Sequence, residues 1–311
     1  MVLPPGYGYR YRTSAKWVLN WMLHNNLSEP EDIWVTYSVD LIPAGAPEAT
    51  GITPVTPIWM DVQNGSVYPV FDVIKGTGRD GRYTYPDDAD HPYGDGPAKN
   101  EWTAPYDGTI VATAGHLHPG GLYNDLWLRR PGARVTDGSA KPGAPDTARL
   151  FTSVATYFEP GGPVSWDLAM SKTPLDWRVA VRKGDVLSTS VTYDSERASW
   201  YESMGIMITY MAVGDRRGAD PFTTDTDVRG VLTHGHLAEN DNHGGRPAPG
   251  EYQDMTRLPS RVLPSGTVLP IADFVYVGDM SNGASVPTVA EGGTLVFRND
   301  DDARQIGRAH V

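Results

Sequence analysis

The chain has 311 residues, 40% of them hydrophobic, which is enough for two or three domains with packed cores. Its 38 acidic side chains outnumber the 26 Lys and Arg side chains, and the formal charge of -12 repels phosphate backbones, so a nucleic-acid partner is disfavoured. The chain has no cysteine, which excludes disulfides, thiolate metal sites and cysteine nucleophiles and leaves His, Met, carboxylates or water for any metal site.

The composition favours many short strands joined by tight turns, because 34 Gly and 26 Pro occur beside 16 Tyr and 9 Trp. Runs at Lys16–His24 and Ile33–Leu41 predict strands, and the Pro-rich stretch 43–57 predicts a linker. No run is apolar for long enough to span a bilayer. Further strands are predicted at 109–114, 122–128, 150–158, 164–170, 177–181, 186–193 and 205–212. No segment there has a sustained helical period, so we expect an all-β fold, an antiparallel β-sandwich or jelly roll.

Two histidines, His116 and His118, follow the strand predicted at 109–114. Residues two apart on a strand point to the same face, so both imidazoles can meet one ion. Met204 lies just before the strand at 205–212, and a thioether beside two imidazoles suits Cu(I) and is poor for Mg²⁺ or Ca²⁺. The same pattern also fits two ordinary surface histidines and a core methionine, the role expected of Met207.

A second group of histidines lies in the segment 215–264, which is rich in Gly, Asp and Pro and predicts a linker. His234, His236 and His243 are spaced closely enough for a small metal site carried by a loop. A solvated loop without an ion fits the same spacing. A new strand pattern begins at Thr267.

Three motifs carry a family resemblance: Gly115-His116-Leu117-His118, Val181–Leu187 and Glu202-Ser203-Met204. In this order they resemble the second domain of the copper-dependent peptidylglycine and dopamine-type monooxygenases. The resemblance implies that His116, His118 and Met204 hold an oxygen-binding copper. The segments Trp17–Asn26, Gly115–Gly121 and Met204–Ala212 are more similar still to the stress-up-regulated nodulin-type family and its bacterial relatives.

Both ends of the chain resemble parts of further domains. The segments Leu3–Tyr9 and Trp17–Asn26 resemble the first-domain region that gives one ligand to an electron-transfer copper, which implies that role for His24. The family's upstream His-His pair has no counterpart, so this second site is expected to be incomplete. Leu269–Asp302 resembles the first strands of a cupredoxin domain whose ligands would lie further on. Residues 306–311 break the pattern and are interpreted as an artefact, so His310 receives no role.

The predicted organisation follows from these resemblances. Residues 1–48 are expected to be the remnant of a first sandwich and 52–214 a second, copper-type sandwich. A linker at 215–264, the start of a cupredoxin-like domain at 265–305 and an artefact tail at 306–311 complete it. The family implies an extracellular or cell-envelope location. A signal peptide is not visible, which we attribute to an N-terminus truncated within the first domain.

The function implied is O2-dependent hydroxylation of an unknown small molecule or peptide, with copper as cofactor and an external reductant such as ascorbate. No catalytic residue beyond the metal ligands is assigned. The alternative is a non-catalytic copper-binding or adhesion module on the same fold, because a fold does not fix an activity. A cupin-like metal barrel ranks third, since cupins usually place a Glu four residues after His-x-His and Leu122 stands there.

Overall fold

The computed structural model describes residues 2–12, 14–16, 41–64, 69–158, 162–164, 166, 168–235, 260–272, 275–276, 286–289 and 295–299. The chain divides into two compact units. The first unit contains Met1–Tyr11 and Pro43–Glu251, and the second contains Arg12–Ile42 and Tyr252–Val311. Each unit is described by itself.

The described part of the first unit consists of short strands and one 3-10 helix, Pro47–Ala49. The strands are β1 Tyr7–Tyr9, β2 Thr53–Asp61, β3 Phe71–Val73, β4 Arg82–Tyr85, β5 Glu101–Thr103, β6 Gly108–Leu117, β7 Gly121–Arg129, β8 Ala140–Lys141, β9 Ala144–Tyr157, β10 Leu168–Lys172, β11 Val179–Val181, β12 Val186–Asp194, β13 Trp200–Ser203, β14 Gly205–Val213 and β15 Val231–Leu232. None of the helices in the described ranges is long and apolar enough to cross a membrane.

The strands form two antiparallel layers joined through one pair. One layer has the order β1-β2-β14-β6-β10, the other has the order β9-β7-β12-β4, and β10 pairs with β9 to connect them. The strand β1 pairs with β2 in parallel, the exception in this sheet. The small pair β3–β13 lies outside the main sheet. The prediction of an all-β fold with sandwich character is confirmed.

The apolar residues of the two layers face each other and form the core. The largest cluster joins side chains of β2, β6 and β14 in one layer to side chains of β7, β9 and β12 in the other; it includes Met60, Ile110, Leu126, Leu150, Leu187, Met207 and Met211. A second cluster, with Val62, Leu117, Met170, Val191 and Tyr193, lies at the end of β6. Leu117 is buried and His116 is exposed, so the end of β6 lies between core and solvent.

The strands β6 and β10 diverge near this end. In chain order, β10 first pairs with β9 through Leu168–Met170 and then meets β6 at the pair Lys172–Ala114. The buried hydroxyl of Ser153 bridges the divergence, because it accepts from the Gly115 N–H at 3.0 Å and donates to the Ser171 carbonyl at 2.5 Å. Adjacent strands thus separate while their backbone groups keep hydrogen bonds.

The segment 215–232, which we call the strap, packs across the first unit. Phe222 is buried in the main core, and the Arg130 guanidinium over its ring also bonds Asp185 and Asp220 at 2.8–2.9 Å. The Trp177 indole donates to the Thr226 carbonyl at 2.7 Å. The strap ends in β15, which pairs with β10 at Ser171–Lys172.

The second unit contains two small sheets in its described part. The strands are β16 Ser260–Leu263, β17 Thr267–Ala272, β18 Val275–Tyr276, β19 Val286–Val289 and β20 Leu295–Asn299. The strand β16 pairs in parallel with β19, and β17 pairs in parallel with β20 and antiparallel with β18. The cupredoxin-like nature of this region stays a prediction.

Several boundaries differ from those expected. The predicted linker 43–57 overlaps β2, which starts at Thr53; Pro54 faces Gly8 of β1, and Pro57 pairs with Tyr210 of β14. Residues 7–9 share the sheet of the sandwich, although 1–48 was expected to be a separate remnant. The first part of the expected linker 215–264 forms the strap, anchored by Phe222 and Asp220.

Candidate metal centre and adjoining pocket

The imidazoles of His116 and His118 lie side by side at the end of β6. Their ring centroids are 5.4 Å apart and the rings are nearly perpendicular. A metal ion lies about 2.0–2.1 Å from each histidine nitrogen that binds it, so this separation is compatible with one shared ion. His116 is exposed, whereas His118 is 6% exposed. The pair therefore combines a solvent-facing ring with a buried one.

The orientation of the His118 ring is set by a hydrogen bond. Its Nδ1 lies 2.6 Å from the backbone carbonyl oxygen of Glu202. A carbonyl oxygen only accepts, so Nδ1 carries the proton and Nε2 is the nitrogen suited to a metal. Metal-binding histidines usually donate their second ring N–H in this way, which fixes both tautomer and ring direction. The His118 ring has the arrangement expected of a ligand.

The Glu202 carbonyl is itself held by unusual backbone geometry. Glu202 has a φ of +53°, in the left-handed region that side chains rarely adopt. It lies where the pairing of β13 with β3 is irregular, and its N–H donates to the Asp72 carboxylate at 3.1 Å. Such a conformation persists where surrounding contacts impose it. Here those contacts aim the carbonyl at His118.

The backbone next to both predicted ligands is tied by one side chain from the other layer. The buried Tyr193 hydroxyl accepts from the His118 N–H at 3.1 Å and from the Met204 N–H at 3.1 Å, and it donates to the Met204 carbonyl at 2.8 Å. Burial raises the pKa of Tyr193, so the hydroxyl stays protonated as this donor. Tyr193 therefore joins residues 118 and 204 beyond the last regular strand pair, Gly205 with Leu117.

The strand register places Met204 beside the histidines. Gly205 pairs with Leu117 and Ile206 with His116, so continuing the antiparallel register sets Met204 opposite His118. Cross-strand neighbours of this kind share a sheet face. Met207 pairs with Gly115 and lies fully buried in the main core, on the opposite face. The backbone of Met204 thus lies close to that of His118, and Met207 belongs to the core.

The turn after His118 needs its glycine. Gly120 has a φ of +90°, and a Cβ added there would collide with the Trp200 indole. The Trp200 indole N–H in turn donates to the Asp194 carbonyl. The Pro119-Gly120-Gly121 turn therefore packs against Trp200 at the start of β13.

A pocket of about 300 Å³ opens where β6 and β10 diverge. It is lined by Gly115, His116, Leu117, Trp166, Leu168, Met170, Thr233 and His234. The Trp166 ring also lies 5.1 Å from the His118 ring. The protein atoms packed around the His116 ring remove part of its solvation, which disfavours the charged form and lowers its pKa. The residue is nevertheless partly in contact with solvent. A neutral imidazole is the form that binds a metal.

A buried carboxylate lies in the same cross-strand row as His116. Asp61 pairs with Ile206, which pairs with His116, so the three side chains share a face of the sheet. Asp61 is 1% exposed; its Oδ1 accepts from the Gln63 N–H at 2.8 Å, and its Oδ2 has no hydrogen-bond partner among the described residues. Burial raises the pKa of Asp61 to about 7.

The other predicted ligands have different outcomes. His24, His236 and His243 lie outside the described residues. His234 follows the strap, is exposed and lines the pocket with His116, which its sequence position did not reveal. Within the described ranges, no three His, Asp or Glu side chains gather as a metal site.

Several contributors to the site were not predicted from the sequence. Tyr193, Trp166 and Met170 lie in separate strands or loops, and they come together only through the sheet register and the divergence of β10. The Glu202 carbonyl is a backbone group; the acidic residue of the Glu202-Ser203-Met204 motif was the one available signal for it.

Comparison with known proteins adds no relative: no family model matches the chain, and no curated protein matches it by sequence.

Proposed function

We propose that His116, His118 and Met204 bind one copper ion and that the full-length protein is a copper-dependent oxidoreductase of the monooxygenase type. The observation that carries this proposal is the His118 ring, whose Nδ1–H donates to the Glu202 carbonyl beside the ring of His116. Two imidazoles and a thioether form a soft donor set that suits Cu(I). The motifs that contain these three residues resemble those of the copper monooxygenases, which supports the assignment.

The residues present fit such an ion. The Tyr193 hydroxyl holds the backbone on both sides of the site, and the Glu202 carbonyl fixes the nitrogen that His118 offers. A bound copper would supply one-electron redox chemistry and an O2-binding position. His116 borders the pocket, so a molecule in that pocket would lie next to the site.

The proposed reaction inserts one oxygen atom of O2 into a C–H bond of a small molecule or peptide. The second oxygen atom leaves as water, which requires two electrons and two protons from an external reductant such as ascorbate. The family resemblance also favours an extracellular or cell-envelope location. His24 would belong to a second, electron-transferring copper site.

The test is metal analysis combined with copper-edge X-ray absorption on the reduced full chain. We expect bound copper with nitrogen and sulfur scattering, and loss of the sulfur contribution in Met204→Leu. Zinc or no metal in place of copper would contradict the proposal. Stoichiometric copper without ascorbate-dependent O2 consumption would support the non-catalytic copper-binding module instead.

A further inference from the structure

We infer that the pocket between β6 and β10 is a substrate site for a compact, flat and uncharged molecule with a hydroxyl group, and that Trp166 and His234 select it. This inference rests on the proposed function where it calls the ligand a substrate. The pocket itself stands on the geometry of the described residues.

The size of the pocket limits the ligand. Its volume of about 300 Å³ lies at the small end of the range for small-molecule sites. The pocket exists because β10 pairs with β9 through Leu168–Met170 and reaches β6 only at Lys172, and the Ser153 hydroxyl keeps the two strands apart at a fixed spacing. A single ring system fits this space, whereas an extended peptide of several residues does not.

The walls favour a flat and apolar ligand. The indole of Trp166 and the imidazole of His116 provide planar surfaces, and the thioether of Met170 is a soft contact for aromatic rings. Leu117 and Leu168 supply the remaining apolar wall. None of the eight lining residues carries a carboxylate, ammonium or guanidinium group. A charged ligand would be desolvated there without a counter-charge, so a neutral one is favoured.

One corner of the pocket is polar. The Thr233 N–H donates to the Met170 carbonyl at 2.9 Å, which extends the pairing of β15 with β10 and fixes His234 beside the opening. The Nδ1 of His234 lies 2.9 Å from the Gly235 carbonyl oxygen, so Nδ1 carries the proton. The neutral ring then offers Nε2 as an acceptor, which suits a ligand hydroxyl. Hydroxyl recognition is therefore assigned to His234.

The inference is tested with phenol and benzene as probes on the metal-free full chain and on the Cu(I)-loaded chain. Binding is followed by NMR, with the Trp166 indole signal assigned by its loss in Trp166→Ala. Phenol should bind about fivefold more tightly than benzene, since a neutral hydrogen bond contributes about 1 kcal/mol. His234→Ala should abolish this difference and leave Cu(I) affinity unchanged. Trp166→Ala should weaken both probes, whereas Trp59→Ala, which removes an exposed indole outside the pocket lining, should weaken neither.

The outcomes separate the pocket from the copper site. Absence of probe binding to both forms of the chain, with Cu(I) binding retained, would overturn the inference and leave the proposed function standing. Probe binding without copper binding would support the pocket and contradict the proposed function. Weaker Cu(I) binding in His234→Ala would make His234 a metal ligand and overturn its role in selecting the substrate.

Discussion

The Tyr193 hydroxyl holds the backbone of Met204 through two hydrogen bonds, donating to its carbonyl at 2.8 Å and accepting from its N–H at 3.1 Å. The same oxygen accepts from the His118 N–H. Tyr193 belongs to β12 in one layer, while residues 118 and 204 extend β6 and the start of β14 in the other. The inter-layer contact therefore determines the spacing of two proposed ligands, which is how rigid elements preorganise a site.

Tyr193→Phe should destabilise the fold and loosen the candidate site. The variant keeps the ring but leaves two backbone N–H groups and one carbonyl, at residues 118 and 204, without this partner. Unsatisfied buried groups cost about 1–3 kcal/mol each, so the loss of a partner for three groups should lower stability by at least about 3 kcal/mol in urea unfolding. Cu(I) affinity should fall roughly tenfold, in line with the loss of supporting contacts around a metal.

The matched control for this variant is Tyr93→Phe. Its hydroxyl donates to the Val62 carbonyl and not to the backbone of residue 118 or 204. We expect a loss of about 1 kcal/mol in stability and no change in Cu(I) affinity. Equal Cu(I) affinity in wild type and Tyr193→Phe would show that the hydrogen bonds of the Tyr193 hydroxyl stabilise the fold but do not support metal binding.

Gly120→Ala should be strongly destabilising, because it combines two penalties. The residue has a φ of +90°, and its new Cβ would collide with the Trp200 indole. Gly132 is the natural control, since it has a φ of +80° with no atom within 4 Å of an added Cβ. We expect Gly132→Ala to cost about 1 kcal/mol and Gly120→Ala at least about 2 kcal/mol more. Thermal or urea unfolding of both variants measures the difference. Similar losses of stability in the two variants would contradict a collision between the new Cβ and the Trp200 indole.

The sequence was sufficient for the strands that carry the histidines. Strand-forming apolar runs and Gly-containing turns predicted the strand now seen as β6 and the one seen as β14. The i, i+2 spacing of His116 and His118 correctly predicted neighbouring rings.

The remainder of the site depends on contacts that local patterns do not record. The Tyr193 tie requires the register of β12 against the other layer, and the pocket requires β10 to leave β6 for β9. The strap looked like a linker because most of its residues are polar, yet Phe222 and the ion pairs of Asp220 anchor it. These few contacts hold the strap against the sandwich, although its composition is mostly polar.

Asp61 should make the protein less stable as the pH rises. Its pKa is raised from 3.8 to about 7 in the folded chain, so between these values the folded state holds a proton that the unfolded state has released. Stability associated with this group is complete below about pH 4 and is lost through about pH 7, by up to about 4 kcal/mol in total. The cause is the burial of a carboxylate whose Oδ2 has no partner among the described residues.

The test compares wild type with Asp61→Asn, which resembles the protonated acid. Urea unfolding should show wild type losing about 2–3 kcal/mol relative to Asp61→Asn between pH 5 and pH 8. Asp95→Asn, which neutralises an exposed carboxylate, controls for the change in net charge and should follow wild type. Parallel stability profiles for wild type and Asp61→Asn would contradict the raised pKa.

Met204→Leu should separate metal ligation from packing. Volume-conserving swaps of apolar side chains usually cost less than about 1.5 kcal/mol, so folding should be nearly unchanged. The swap deletes the sulfur, however, and within the described ranges no carboxylate or third imidazole gathers with the histidine pair to replace it. Cu(I) affinity, measured by competition with a chelator, should therefore fall by at least about tenfold.

Met207→Leu supplies the internal control, because Met207 pairs with Gly115 and is fully buried on the core face of β14. It makes the same chemical change three residues away and should leave Cu(I) affinity intact, while its packing cost shows what loss of a core thioether does to stability. Equal Cu(I) affinity in wild type and Met204→Leu would reduce Met204 to a packing residue. The two histidines would then form a site of undefined metal, and the proposal of copper-based oxygen chemistry would lose its main support.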